Sequence, residues 1–183
     1  MEVSKMKKWL IFVSLVLISG CSEESTLLPV TGEITNSLTL DILDTTGKSL
    51  GTGELTETSK GISLRLQVKG LSPGEKGIHF HEVGLCEPPD FKTAGSHVNP
   101  TGKEHGFKNK KGYHAGDLPN LVVPESGEVD LQILTPLLTL SKGKANSLLD
   151  EDGSAIVIHE NADDYVTDPA GNSGDRIACG VIK

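Results

Sequence analysis

Aromatic side chains are scarce in this chain of 183 residues, which has one Trp, two Tyr and four Phe. Glycine (21) and proline (9) are plentiful by contrast. That mixture disfavours long helices and suits short strands joined by turns. No stretch sustains a helical period, no segment repeats, and no linker separates two domains. Basic charge is also lacking: 17 Lys and Arg stand against 25 Asp and Glu, a formal net charge of −8. The first twenty residues hold Lys5, Lys7, Lys8 and Glu2, a net +2, so the remainder carries −10. Such an acidic body excludes a nucleic-acid partner and makes a metal cation an easy guest. Histidine is absent up to residue 78 and then concentrated, with all six at positions 79, 81, 97, 105, 114 and 159.

Only one apolar run is long enough to suggest a membrane, and it is too short to span one. Trp9–Ile18 is ten residues, where a bilayer needs roughly 20. It follows the basic Lys5, Lys7 and Lys8, the order of an export signal. Ile18-Ser19-Gly20-Cys21 then resembles a bacterial lipobox, in which Cys21 is lipidated and becomes the mature N-terminus. The expectation is a signal peptide over 1–20, a lipidated N-terminus and polar tether over 21–36, and one domain over 37–183. An ordinary secretory signal cleaved nearby, with Cys21 incidental, is the alternative. Export and membrane attachment explain the cysteine usage. With Cys21 assigned, Cys86 and Cys179 remain as an even pair in an oxidising compartment. They form either a disulfide, worth roughly 4–5 kcal/mol at most on the chain-entropy model, or two buried free thiols.

The domain reads in period two. Leu38, Leu40 and Ile42 alternate with polar residues, Thr45–Lys48 turns, and Leu50–Thr56 returns. Ile62, Leu64, Leu66 and Val68 give the clearest strand, and Gly77–Val83 carries His79 and His81. Further strands are expected over Leu121–Val123, Val129–Leu134, Leu137–Leu140, Ser154–His159 and Arg176–Ile182. Two stretches, Gly84–Pro119 and Asn161–Asp175, have no period. Loops this long in a compact domain are commonly functional. The fold class is therefore all-β: a sandwich or flattened barrel of about eight strands with two long functional loops.

On a strand, residues i and i+2 share a face, so His79 and His81 point into one site. His159 ends another strand and adds a third imidazole. An all-imidazole site suits copper or zinc, with copper favoured on affinity. His97, His105, His114 and Asp117 lie in one loop and make the tetrahedral N/O set of a structural zinc. Two four-coordinate sites need eight ligands, and these seven suffice only if one is shared or water fills a place. An imidazole has two nitrogens, so sharing is chemically available.

The motifs that hold these residues are Gly77-Ile-His-Phe-His-Glu82, Gly95-Ser-His-Val-Asn-Pro100, Glu104-His-Gly106 and His114-Ala-Gly-Asp-Leu-Pro-Asn120. Val157-Ile-His-Glu-Asn-Ala-Asp-Asp164 and Gly174-Asp-Arg-Ile-Ala-Cys-Gly-Val-Ile182 come after them. In this order and spacing they resemble copper/zinc superoxide dismutase over roughly Ser37 to Lys183. The resemblance implies a Greek-key β-sandwich whose copper is held by His79, His81, His97 and His159. It makes His97 a bridging imidazolate that joins His105, His114 and Asp117 in holding zinc. It also implies a Cys86–Cys179 disulfide, Asp163 as a carboxylate bonding His79 and His105, and Arg176 as the arginine beside copper. The implied reaction converts superoxide into dioxygen and hydrogen peroxide, with Arg176 guiding the anion and His97 giving a proton. Two features depart from the family pattern. Asp175 precedes Arg176 where a small uncharged residue is common, and Glu160–Asp175 contains no lysine or arginine. Lys92, Lys103, Lys108, Lys110 and Lys111 of the other loop are the candidates to compensate. A copper- and zinc-binding lipoprotein that stores or delivers metal without turnover is the rival reading.

Overall fold

The computed structural model describes residues 36–183. The export signal, Cys21 and the tether up to residue 35 lie outside the described residues. Nine strands form: β1 (Ser37–Asp44), β2 (Ser49–Thr58), β3 (Gly61–Lys69), β4 (Gly74–Lys76), β5 (Ile78–His81), β6 (Leu121–Val123), β7 (Glu128–Thr135), β8 (Ser154–His159) and β9 (Arg176–Ile182). The single helical turn among the described residues is a 3₁₀ turn at Lys92–Ala94. No helix among them is long and apolar enough to cross a membrane.

Seven strands make one curled antiparallel sheet in the order β5-β8-β9-β1-β2-β3-β7, and β4 and β6 pair as a separate ribbon. The ribbon leads into both edges of the sheet: β4 runs into β5 across Gly77, and β6 turns through residues 124–127 into β7. The chain passes from β3 to the far edge strand β5, and from β7 to β8. These are the long connections that distinguish a Greek key from a meander.

Alternation along β3 shows why the sheet has an inside. Ile62, Leu64, Leu66 and Val68 are buried while Arg65, Gln67 and Lys69 are exposed. At about 1.5–3 kcal/mol per buried aliphatic side chain, this one strand contributes a large share of the domain's hydrophobic stabilisation. Leu40, Ile42 and Leu55 from β1 and β2 meet it in the same core.

β5 and β8 behave differently, being buried on both faces. Ile78 and Phe80 of β5, and Ile156 and Ile158 of β8, enter the main core. Ala155 and Val157 face a second cluster with Phe91, Ala94 and Cys179. The loop after β5 therefore covers the outer face of these two strands, which is the face carrying His79, His81 and the end of β8.

Two strand expectations change. Leu137–Leu140 is not a strand: Thr139 makes one isolated bridge to Ser147, and its backbone is spent on Asn146 and Leu148. Pro136 precedes this stretch, and the Thr139 and Ser141 hydroxyls bond Glu57, so the segment is tied as a loop. Conversely, Gly74–Lys76, which the sequence pattern does not mark as a strand, follows the Ser72-Pro73-Gly74 turn signal and pairs with Leu121–Val123. That pairing joins segments far apart in the chain and leaves no local pattern.

Candidate metal centre

β5 presents His79 and His81 on one side, both fully buried. The loop lies across this strand by backbone pairing: the Val98 N–H donates to Phe80 O, the Phe80 N–H to Gly116 O, and the Gly116 N–H to Val98 O, each at 2.9 Å. These bonds bring His97 opposite His81 and Asp117 opposite His79. Gly116 has to be glycine here, since a Cβ would sit 2.4 Å from Phe80 O. The loop is thus held as an irregular extension of the sheet, and it carries four of the seven candidate ligands, His97, His105, His114 and Asp117.

His159 arrives from β8 through a bulge. Ile158 pairs with Ala178 but His159 pairs with Arg176, leaving Ile177 as an extra residue. A bulge re-aims the side chains beside it, and here it places His159 and Arg176 on the same cavity. That cavity is also lined by His97, His114, Lys103 and Glu82. Arg176 donates from Nη1 to Phe91 O at 2.8 Å and from Nη2 to Gly95 O at 2.7 Å. Both carbonyls belong to the loop that the Cys86–Cys179 disulfide (Cα–Cα 5.7 Å) ties to β9. The disulfide fits an oxidising, extracytoplasmic compartment.

Four buried ring nitrogens lack a hydrogen-bond partner among the described residues: His79 Nδ1, His81 Nε2, His97 Nε2 and His159 Nε2. The ligand atoms of these four residues lie within 4.8 Å of one another. An unsatisfied buried polar atom costs about 1–3 kcal/mol, so four that converge mark a place for a ligand. The other nitrogen of each ring is engaged. His79 Nε2 lies 2.9 Å from Asp163 Oδ2, His81 Nδ1 2.9 Å from Gly95 O, His97 Nδ1 2.9 Å from Asp117 Oδ1, and His159 Nδ1 3.3 Å from Gly174 O. An acceptor on one side fixes the proton there and leaves a lone pair on the converging nitrogen. These residues fit a metal that prefers imidazole.

A second donor set adjoins the first. Asp117 Oδ1 lies 2.9 Å from His97 Nδ1, 3.1 Å from His105 Nδ1 and 3.3 Å from His114 Nδ1. His97 and His114 Nδ1 are 3.4 Å apart. Tetrahedral ligands at zinc distances stand about 3.3 Å apart, so this spacing fits zinc. Asp117 Oδ2 is turned away by the N–H groups of Gly106 and His114, each at 3.0 Å. His97 has one nitrogen in the first set and the other against Asp117, while His79, which also lies within reach of His97, His105 and Asp117, has its Nε2 against Asp163.

The electrostatics follow from burial and these contacts. Burial alone would raise the Asp117 carboxyl. Hydrogen bonds from His105, His114 and His97 overcome that and hold it far below the carboxylate range. Asp163 is held down likewise by His105 and His79 against its burial. Burial pushes His97 down to about 4 and His159 to about 3, and it lowers His79 and His81 as well. His105 is also opposed by burial, yet the two carboxylates raise it to about 9.

All seven predicted ligand side chains, Asp163 and Arg176 meet in this region. Asp175 is exposed and makes no ion pair with Arg176. Glu82 and Glu160 are exposed too. Of the five loop lysines, Lys103 alone lines the cavity. Lys92 pairs with Asp90, Lys111 with Glu104, and Lys108 lies over the Tyr165 ring. Sequence reading misses the Gly95 and Gly174 carbonyls, because a backbone acceptor has no residue type to signal it. It also misses the Ile177 bulge.

A barrel with a buried six-histidine, two-carboxylate cluster under a disulfide-tied loop is the scaffold of a two-metal oxidoreductase. Comparison with known proteins agrees. The profile of the copper/zinc superoxide dismutase (SODC) family matches residues 49–182. Copper-zinc superoxide dismutase 2 of Aquifex aeolicus is 51% identical over 144 residues, 78% of this chain and 84% of that protein. The copper-zinc enzyme of Caulobacter vibrioides is 46% identical over 139 residues, 75% of this chain and 80% of its own. A SOD-like protein of Bacillus subtilis, solved as a double mutant with two substitutions to histidine, is 48% identical with a TM-score of 0.77. That match covers 79% of this chain and 95% of that one. This chain belongs to the copper/zinc superoxide dismutase family.

Proposed function

We propose that the protein disproportionates superoxide at a copper held by His79, His81, His97 and His159. In this reading zinc is held by His97, His105, His114 and Asp117. The observation that carries the reading is the convergence of four buried, unpartnered imidazole nitrogens. Bound copper supplies a one-electron carrier alternating between Cu(II) and Cu(I), so one superoxide becomes dioxygen and a second, with two protons, becomes hydrogen peroxide.

The chain's own residues do the rest. Arg176 is fixed by two carbonyls with its guanidinium on the cavity, where it attracts and orients an anion. Lys103 adds positive charge to the same lining. His97 Nε2 faces the four-nitrogen cluster and is the ring atom placed to hold a proton and pass it to reduced substrate. Asp163 orients His79 and His105, and Asp117 Oδ1 stands beside His97 Nδ1 as a fellow zinc donor. Storage or delivery of metal without turnover gives no reason for an arginine held over the site. The export signal and lipobox-like Ile18–Cys21 support a membrane-anchored protein outside the cytoplasm, tethered through Cys21.

The test is direct superoxide decay on copper- and zinc-loaded protein. His81→Ala is expected to remove activity. Arg176→Ala is expected to lower kcat/KM roughly 10-fold or more at low salt and to flatten the salt dependence of what remains. Wild-type decay no faster than that of metal-free protein would sink the enzyme reading in favour of metal handling.

A further inference from the structure

Tyr165 is a residue that neither the ligand set nor the guiding arginine accounts for. It has a left-handed backbone (φ 63°), uncommon for a bulky side chain. Its polar groups reach three separate segments of the site. The Tyr165 N–H donates to Asp163 Oδ1 at 2.6 Å, on the carboxylate that contacts His79 and His105. The Tyr165 carbonyl accepts the Lys108 N–H at 2.9 Å, three residues after His105. The Tyr165 hydroxyl accepts the Asn120 N–H at 2.6 Å, three residues after Asp117.

Asn120 completes the arrangement. Its side-chain amide donates from Nδ2 to Asp163 O and accepts the Asp163 N–H at Oδ1, both at 2.9 Å. One amide therefore satisfies the whole backbone of Asp163, as a neighbouring strand would. Close packing seals the arrangement: a Cβ on Gly106 would sit 2.1 Å from Tyr165 O, and one on Gly171 would sit 1.9 Å from Asp163 Oδ1. The Tyr165 ring also meets Phe107, with centroids 5.6 Å apart.

We infer that Tyr165, with Asn120, is a positioning residue for the metal centre. It locks the segments bearing His105, Asp117 and Asp163 in one register and so sets the zinc-side donors and, through Asp163, the His79 ring. The hydroxyl is the part that can be removed alone. In Tyr165→Phe the ring still packs on Phe107, the Asn120 N–H loses its acceptor, and the segment bearing Asp117 is left tied to Asp163 by the Asn120 side-chain amide alone. Partners that orient ligands from outside the coordination shell are worth about 10–100-fold in metal affinity. A residue that merely stabilised the fold would lower the melting temperature without altering the metal site.

The inference rests on the two-metal reading, and its test separates the two. Zinc affinity is measured by chelator competition on full-length wild type, Tyr165→Phe, Asn120→Ala and the β3 core variant Leu66→Ala. The visible spectrum of Co(II) in the zinc set is recorded for each. The expected result is a loss of about 10-fold or more in zinc affinity in Tyr165→Phe and Asn120→Ala, with a shifted Co(II) spectrum. Leu66→Ala should lose stability while keeping the wild-type spectrum and affinity. Wild-type affinity and spectrum in Tyr165→Phe overturn the inference and leave the two-metal reading intact. Losses in Leu66→Ala equal to those in Tyr165→Phe overturn it as well. Failure of wild type to bind zinc or Co(II) overturns both.

Discussion

His97→Ala is expected to lose both metals, whereas His81→Ala is expected to lose copper and keep zinc. The contrast follows from geometry. His97 Nε2 belongs to the four-nitrogen cluster while its Nδ1 sits 2.9 Å from Asp117 Oδ1 and 3.4 Å from His114 Nδ1. His81 offers only Nε2, because its Nδ1 is turned to Gly95 O. Deleting a ligand costs more than the roughly 10–100-fold lost with an outer partner. Metal content of the purified variants after equal loading and dialysis checks this. Equal zinc retention in the two would contradict a shared His97.

Stripping both metals should lower the melting temperature and make the protein acid-labile. A ligand present at about 1,000 times its Kd stabilises by about 4 kcal/mol, equivalent to about 10–15 °C in a domain of this size. The pH dependence of the metal-free form has a definite sign. His97 and His159 have folded values of about 4 and 3, below the ordinary value of 6.5. The unfolded chain therefore binds more protons than the folded one below about 6.5. Their stabilisation is complete above that value and is lost as pH falls through about 4 for His97 and about 3 for His159, on the order of a few kcal/mol. His79 and His81 act in the same direction. Below about pH 4, protonation of Asp117 and Asp163 removes more, since both are held under the usual carboxylate value. His105, raised to about 9, works oppositely, and its contribution fades as pH climbs through 9. Thermal melts of metal-free protein between about pH 4 and 8 check this. A melting temperature that rises as pH falls from about 6.5 to 4 would refute the assignment.

Most of the site is legible in the sequence because its chemistry resides in residue types. Six histidines confined to one region, two of them in alternation on a strand, reveal a metal centre without any structure. The clean alternation of Ile62 to Val68 likewise reveals β3. What is not legible is what the backbone does at a distance. The Gly95 carbonyl meets both His81 and Arg176, yet nothing about a glycine marks it as an acceptor. The Ile177 bulge turns Arg176 onto the cavity with His159, where the alternation rule would count faces wrongly. Leu137–Leu140 has the composition of a strand but makes only one isolated bridge, Thr139 to Ser147, while Gly74–Lys76 has no strand pattern and finds a partner in Leu121–Val123. Strand formation in such short stretches is decided by the partner.

The central claim is that one imidazole serves two metals, and its most direct measurement is magnetic. Cu(II) is placed in the four-histidine set, and either Zn(II) or Co(II) in the His105, His114 and Asp117 set. A shared His97 connects the two paramagnetic ions through its two ring nitrogens. The copper resonance should be present with zinc and strongly suppressed by coupling with cobalt. An unchanged copper signal beside stoichiometric cobalt would contradict the bridge.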